Sequence, residues 1–436
     1  MRKRKNKKKV IDLDALEQIN LNAAGIDIGA EEIFVAIPKG RDEETVRSFP
    51  TFTADLVQLA NWLTACGIET VAMESTGVYW IPLYEILESR GFEVCLVNAR
   101  HLKNVDGRKT DVLDCQWIQQ LHTYGLLKGS FRPPEEICAL RELVRHREML
   151  VRYRAAHIQH MQKALQLMNL QLTNVLSDIT GVTGMKIIRD IIAGNRDPHQ
   201  LAEHRDQRCA RSEEEIIKSL EGNYRREHLF ALKQAVDLYD FYDRKLRECG
   251  QELETLYREF DPPHPPDPTS NRPPKPRTAK RRKNQAHFDL ATSLYQMVGV
   301  DLTQIDGIDA LTAQTIVTEI GLDMSRWPTV KHFTSWLGLS PRNDVTGGQS
   351  QAPRHSQDQQ PCQHCLASRR PDRGTQRLRT GLFLSPYACQ TWSLQSHHRY
   401  RSQARPHHLL YAQVPTRLHR PRIDVLRTAT TRPCDS

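Results

Sequence analysis

The feature that most restricts the fold of this chain lies between residues 20 and 125, where the hydrophobic period changes partway along. Ala23–Ile28 and Ile33–Ile37 are short apolar runs on either side of a turn centred on Gly29-Ala30, and Thr45–Phe49 supplies a third such run. That is hairpin order for β-strands. The pattern then alternates. Leu56–Cys66 carries apolar residues at helical steps, Val71–Met73 reads as a strand, Ile81–Ser89 as a helix, Phe92–Val97 as a strand, and Asp111–Leu121 opens another helix. Hairpin strands followed by strand–helix alternation predict an α/β domain built on a mixed sheet with flanking helices.

Four acidic residues punctuate this region. Asp27 falls in Ala23-Ala24-Gly25-Ile26-Asp27-Ile28-Gly29, and Glu74 ends the run Val71-Ala72-Met73-Glu74. Asp111 and Asp114 lie three apart, a spacing that stacks both carboxylates on one helical face. A single acid at a strand end is commonly a cap or a solvated charge, and Asp111 alone fits a helix cap. Two strand-end acids plus a helical pair are different, because crowded carboxylates repel unless a cation offsets them. Oxygen-only ligands point to a hard divalent ion, Mg²⁺ foremost.

From Glu135 to Phe260 the pattern is helical almost throughout. Leu140, Leu143, Val144, Leu150, Val151, Ile158, Met161 and Leu165 form one stripe at three- and four-residue steps. Long antiparallel helices, with a coiled-coil arm as one form, are the simplest packing, and the stripe suits either an intramolecular core or a partner surface. Asp261–Pro276 holds eight prolines in sixteen residues and reads as an extended linker. Leu290–Gly348 is helical again, and Ile305-Asp306-Gly307-Ile308 resembles the turn of a helix–hairpin–helix, whose backbone N–H groups can meet a DNA phosphate.

The formal charge of +9 does not by itself mark a nucleic-acid binder. Residues 350–436 hold fourteen Arg, no Lys, four Asp and no Glu, a net of +10, so residues 1–349 carry about −1. Positive charge elsewhere is clustered, with seven basic residues in 2–9 and seven in Arg272–Lys283, an arrangement suited to phosphate contact. No apolar run approaches the roughly 20 residues of a membrane span, and no apolar segment follows the basic start. A soluble, cytoplasmic protein with reduced cysteines is expected. No G-x-x-x-x-G-K-[ST] loop is present, which removes P-loop nucleotide chemistry from consideration.

In order along the chain, Gly25-Ile26-Asp27, Met73-Glu74-Ser75-Thr76-Gly77, Lys109-Thr110-Asp111-Val112-Leu113-Asp114, Ile305-Asp306-Gly307-Ile308 and Leu337-Gly338-Leu339-Ser340-Pro341 resemble the DEDD transposases, insertion-sequence recombinases of bacteria guided by a bridge RNA. The resemblance spans residues 20 to 348. It implies an RNase H-like, Holliday-junction-resolvase-like catalytic domain over 20–130, with Asp27, Glu74, Asp111 and Asp114 holding Mg²⁺ or Mn²⁺. It further implies a helical or coiled-coil arm over 131–260 supporting a homo-oligomer, while composition sets a basic tail over 1–19 before the catalytic domain and a Pro-rich basic linker over 261–287 after the arm. A small helical transposase domain over 288–349 would follow. The expected partners are DNA (element ends and target) and a guide RNA, with nucleoid association when bound. In that family a Ser follows the Gly-Leu-(Ser/Thr)-Pro motif as nucleophile, and the matched residue here is Thr346. A Thr hydroxyl can attack a phosphodiester, but its methyl group hinders approach. Two alternatives stay open: a catalytically inactive nucleic-acid-binding remnant, and a Mg²⁺-dependent junction nuclease that uses water.

Residues 350–436 differ in composition from all that precedes them, with ten Gln and seven His beside the arginines and no apolar period. Cys362, His364 and Cys365 with the isolated Cys389 and Cys434 lack the paired ligand spacing of a zinc site. Shifting the frame from Gln359 permits Asn-Asn-Arg-Ala-Asn-Thr-Ala, and the same shift from His398 permits Thr-Ala-Thr-Ala-His-Lys-Leu-Ala-Arg, both similar to the closing helices of the family. The sequence therefore predicts an indel close to the codons for Gly348–Ser350 and a disordered, out-of-frame tail.

Overall fold

The structure, a computed structural model, describes residues 16–75, 77–98, 111–260, 284–305 and 307–336, together with 345–346 and 349–350. Residues 111–113, 330, 334, 345, 346, 349 and 350 are described by their backbone alone. The chain divides into two compact units, Met1–Cys138 and Ala139–Ser436.

The first unit is built on five strands, β1 (Ala23–Ile28), β2 (Glu32–Ala36), β3 (Val46–Pro50), β4 (Thr70–Glu74) and β5 (Glu93–Val97), in the order β3-β2-β1-β4-β5. β1–β2 and β2–β3 are antiparallel, whereas β1–β4 and β4–β5 are parallel. The first reversal is short, and the Gly29 N–H closes it on the Glu32 carbonyl at 3.0 Å. Parallel neighbours need a crossover, and α1 (Thr53–Ala65) and α2 (Trp80–Ser89) provide the two. Alternation along the strands sorts the side chains. Ala24, Ile26, Ile28, Val71 and Met73 pack in one core with Leu59 and Leu63 of α1 and Leu83 and Leu87 of α2. These four leucines are fully buried, each contributing about 1.5–3 kcal/mol by transfer from water. The opposite face is covered by α3 (Asp111–Thr123), where Ala72, Val97 and Ile118 form a smaller core. This mixed sheet is consistent with the RNase H-like fold that the resemblance implies.

The second unit is helical. α4 (Glu135–Leu167) continues into it from the first, and α9 (Arg226–Glu259) returns alongside. The pair is antiparallel: Cys249 Sγ meets the Leu143 carbonyl at 3.7 Å, and further along Arg154 pairs with Asp243. The expected long helices are therefore present, but four short helices stand between them: α5 (Leu172–Val175), α6 (Val182–Ala193), α7 (Pro198–Ala202) and α8 (Glu213–Ser219). Local sequence explains their limits. Asp197 caps α7 ahead of Pro198, Ser212 and Glu215 form a reciprocal capping box on α8, and Gly194 ends α6 at φ 110°. They share one core with Met161 and Leu165 of α4, Met168 just beyond its end, and Leu232, Val236 and Tyr239 of α9.

Beyond residue 284 come α10 (Leu290–Val298), α11 (Ala310–Ile320), α12 (Val330–Trp336) and two short strands, β6 (Val345–Thr346) and β7 (Gln349–Ser350). The turn before α11 has Gly307 at φ 85°, and Asp309 caps the helix through the Thr312 amide at 2.9 Å. Among the described residues no helix is long and apolar enough to cross a membrane. The basic clusters at 2–9 and Arg272–Lys283, the proline-rich stretch, Leu337–Pro341 and the tail beyond Ser350 lie outside the described residues.

Candidate functional site

Asp27 and Glu74 come from neighbouring strands. The parallel β1–β4 register runs from Ala23↔Thr70 through Gly25↔Ala72 to Ile26↔Met73, so the next step sets Asp27 beside Glu74. Neighbouring strands are about 4.8 Å apart. By alternation both acids share the face of Gly25 and Ala72, the face that α3 covers, and both are half-buried.

The direction of α3 decides which of its ends meets them. A Cβ on Gly25 would stand 2.2 Å from the Gln119 nitrogen and 2.4 Å from the Cys115 carbonyl oxygen, so only glycine admits the helix at this distance. Farther along the helix, Gln119 Nε2 donates to the Ala23 carbonyl at 3.4 Å, and His122 Nε2 lies 2.8 Å from Thr70 Oγ1. The last turn of α3 thus sits at the start of β1 and β4. The helix runs against both strands, and its first turn, with Asp111 and Asp114, lies toward their carboxyl ends, where Asp27 and Glu74 stand. The electrostatics agree. The Cys115 thiol is fully buried, and burial, then the nearby Asp27 charge and to a lesser degree Asp114, pushes its pKa up to about 12. One side chain therefore feels an acid of the strand and an acid of the helix.

Asp114 is half-buried in α3, while Asp111 is described by its backbone alone as the first residue of that helix. Among the described residues no group of three or more His, Cys, Asp or Glu side chains stands close enough together to hold a metal ion. That search includes three of the four expected ligands, since the Asp111 side chain lies outside it. The donors described there, Asp27, Glu74 and Asp114, offer oxygen only, which suits the expected cation in kind. Thr346 belongs to the second unit. Its backbone pairs with Gln349 in the β6–β7 hairpin, and its hydroxyl lies outside the described residues.

Several contributors were given no role by the sequence, although Ser75 and Gly77 stand in the motif around Glu74. Beyond Glu74 the turn is fixed by Ser75, whose N–H and hydroxyl both donate to the Val97 carbonyl, at 2.9 and 3.1 Å. Gly77 follows at φ 56°, and its carbonyl accepts from Trp80 Nε1 at 3.2 Å. Trp80 in turn stands edge-on to Tyr84. The buried Arg132 lies over both rings and bonds to Glu85 and Glu88 at 2.9 and 3.2 Å. A lone arginine after a loop gives no hint of such a role. In the second unit Arg147 and Arg154 interrupt the apolar stripe of α4 yet are buried, bonding at 2.8 Å to the Asn284 carbonyl and side chain respectively.

The described residues thus set Asp27, Glu74 and the α3 turn that bears Asp114 toward one end of one face of a mixed sheet. Comparison with known proteins gives the particular relationship. Residues 24–170 match the family model DEDD_Tnp_IS110, described as a transposase, and residues 301–366 match the transposase IS116/IS110/IS902 family. The chain is thus homologous to transposase domains of these insertion-sequence families in two regions. The second region runs through residue 366, past the Gly348–Ser350 point at which the composition changes. No curated protein matches the chain.

Proposed function

We propose that this chain is a DNA transposase, a site-specific recombinase of a bacterial insertion sequence that cleaves and exchanges strands through a hydroxyl nucleophile. The observation that carries the reading is the β1–β4 register with the reversed α3, which brings two strand-end acids and one helix-borne acid to one end of one sheet face. Homology in both regions supports it. Asp27, Glu74, Asp111 and Asp114 would hold Mg²⁺ or Mn²⁺. A divalent ion there would polarise a phosphodiester and offset the charge that develops on attack.

The remaining chemistry falls to the chain. The Thr346 hydroxyl forms the new ester to phosphorus as the bond to the departing sugar oxygen breaks, and its proton passes to a base or solvent. The protein–DNA ester keeps the energy of the phosphodiester, so strand exchange needs no ATP. Element-end and target DNA, a guide RNA and a second copy joined through the helical arm are the partners this reading requires. The composition of residues 350–436 supports a shifted frame for that tail, and resequencing the gene around it tests the point: an intact frame in several independent copies removes the idea.

The functional test is one assay. The full chain is incubated with Mg²⁺, element-end DNA and the RNA transcribed beside it, and a covalent protein–DNA adduct is sought. An adduct abolished by Thr346→Ala supports recombination. Cleavage that survives Thr346→Ala but not Asp27→Asn identifies a hydrolytic nuclease, and binding with neither product identifies an inactive remnant.

A further inference from the structure

We infer that Ser75 is a positioning residue for the acid site, holding Glu74 in place for the cation, an inference that rests on the reading just given. The pairing of β4 with β1 is registered through Ile26↔Met73, whereas its pairing with β5 continues one step further, to Glu74↔Val97. At Glu74 the registered partner is therefore on the β5 side. The next residue is the half-buried Ser75, whose N–H and hydroxyl both donate to the Val97 carbonyl, at 2.9 and 3.1 Å. Glu74 thus lies between its ladder pair and a doubly fastened neighbour.

The anchor that receives Ser75 is itself fixed. Val97 is fully buried and bridges to Gly129, while the Ser130 N–H donates to the Leu96 carbonyl at 2.6 Å. Gly129 and Ser130 follow α3, so the end of β5 is tied to the chain leaving the helix that bears Asp114. Groups that bind a cation must be held to within about 0.5 Å of the productive geometry. A long, flexible glutamate at a strand end depends on its backbone for that. The Ser75 hydroxyl donates to a main-chain carbonyl, so Ser75 acts on the site through the backbone and not as a ligand or nucleophile. An alanine there would keep the N–H bond and lose the hydroxyl bond, leaving one fastening in place of two.

The test measures Mn²⁺ affinity on the full chain, by loss of the free-ion electron paramagnetic resonance signal, with urea unfolding of each variant alongside. Ser75→Ala should bind Mn²⁺ roughly 3- to 10-fold more weakly than wild type. Ser75→Thr, which keeps the hydroxyl, should bind as wild type does. A residue that only stabilises the fold would lower the unfolding midpoint and leave the affinity of the folded chain unchanged. Equal Mn²⁺ affinity in wild type and Ser75→Ala therefore overturns the inference, and so does equal weakening in Ser75→Thr and Ser75→Ala. Where Ser75→Ala does not fold, Ser75→Cys, similar in shape but only a weak donor, is judged by the same two outcomes. Asp27→Asn ties the signal to the acids. Binding that survives Asp27→Asn, or no binding by wild type, overturns the metal reading and the inference together. Binding lost in Asp27→Asn but indifferent to Ser75 overturns the inference alone.

Discussion

At the scale of single residues, the acid end of the sheet depends on atoms that do no chemistry. Gly25 admits the α3 backbone, and a methyl group there has nowhere to go because its neighbours are main-chain atoms. Gly25→Ala should cost about 1–3 kcal/mol in urea unfolding and weaken Mn²⁺ binding as α3 shifts away. The Thr70–His122 contact is the second fastening. Burial lowers the His122 pKa below its ordinary 6.5, with Glu93 opposing the shift only weakly. The folded state therefore takes up a proton less readily than the unfolded chain. This contribution to stability is complete above about pH 6.5 and declines as pH falls below it. Unfolding midpoints measured from pH 7.5 down to 5.5 should drop, and the drop should shrink in His122→Asn. A pH dependence unaltered by that substitution would show that other groups carry it.

At the scale of elements, the long hairpin of α4 and α9 is held together partly by charge. Arg154 is 7 % exposed and Asp243 35 %, with Asn284 completing the guanidinium's contacts. Arg154→Leu should destabilise the second unit by roughly 1–3 kcal/mol, less than a fully buried pair would lose because Asp243 keeps some solvent. Asp243→Asn should cost less, since an amide still accepts from the guanidinium, and denaturant titration of both variants orders them. The elements also show what a sequence makes legible. β1, β2, β4 and β5 could be read to within a residue or so because each is a short apolar run bounded by polar or turn residues, β1 and β4 being buried on both faces. α4 could be read from its apolar steps, but Arg147 and Arg154 on the same face could not. Their burial depends on Asp243 and Asn284, far away in sequence. The acids Asp27 and Glu74 were legible as strand ends. Their adjacency was not, because register is a property of two strands together.

At the scale of the whole molecule, the chain carries homology to transposase domains in both of its units. If the four acids and Thr346 serve one reaction, chelating the divalent ion should abolish adduct formation, and Asp27→Asn should reduce it to background with the fold intact by circular dichroism. Thr346→Ser should raise the rate of adduct formation over wild type, since it removes the methyl group from the carbon that bears the attacking hydroxyl and keeps that hydroxyl. A slower Thr346→Ser variant would mean that the methyl positions the hydroxyl, which steric hindrance alone does not explain.

The pairing of β1 with β2 and β4 also bears on how the sheet assembles. Side chains alternate between the faces of a strand, so a slip of one residue in β1 would send Asp27 into the apolar core of α1 and α2 and turn Ile26 and Ile28 toward α3. A carboxylate among Leu59, Leu63 and Leu83 would meet no compensating partner in that core, and misregistered sheets would be disfavoured by several kcal/mol. Asp27→Leu removes the penalty. Such a chain should refold with more off-register product even where the correctly formed sheet is no less stable. The acid would then guard the fidelity of folding before any nucleic acid arrives.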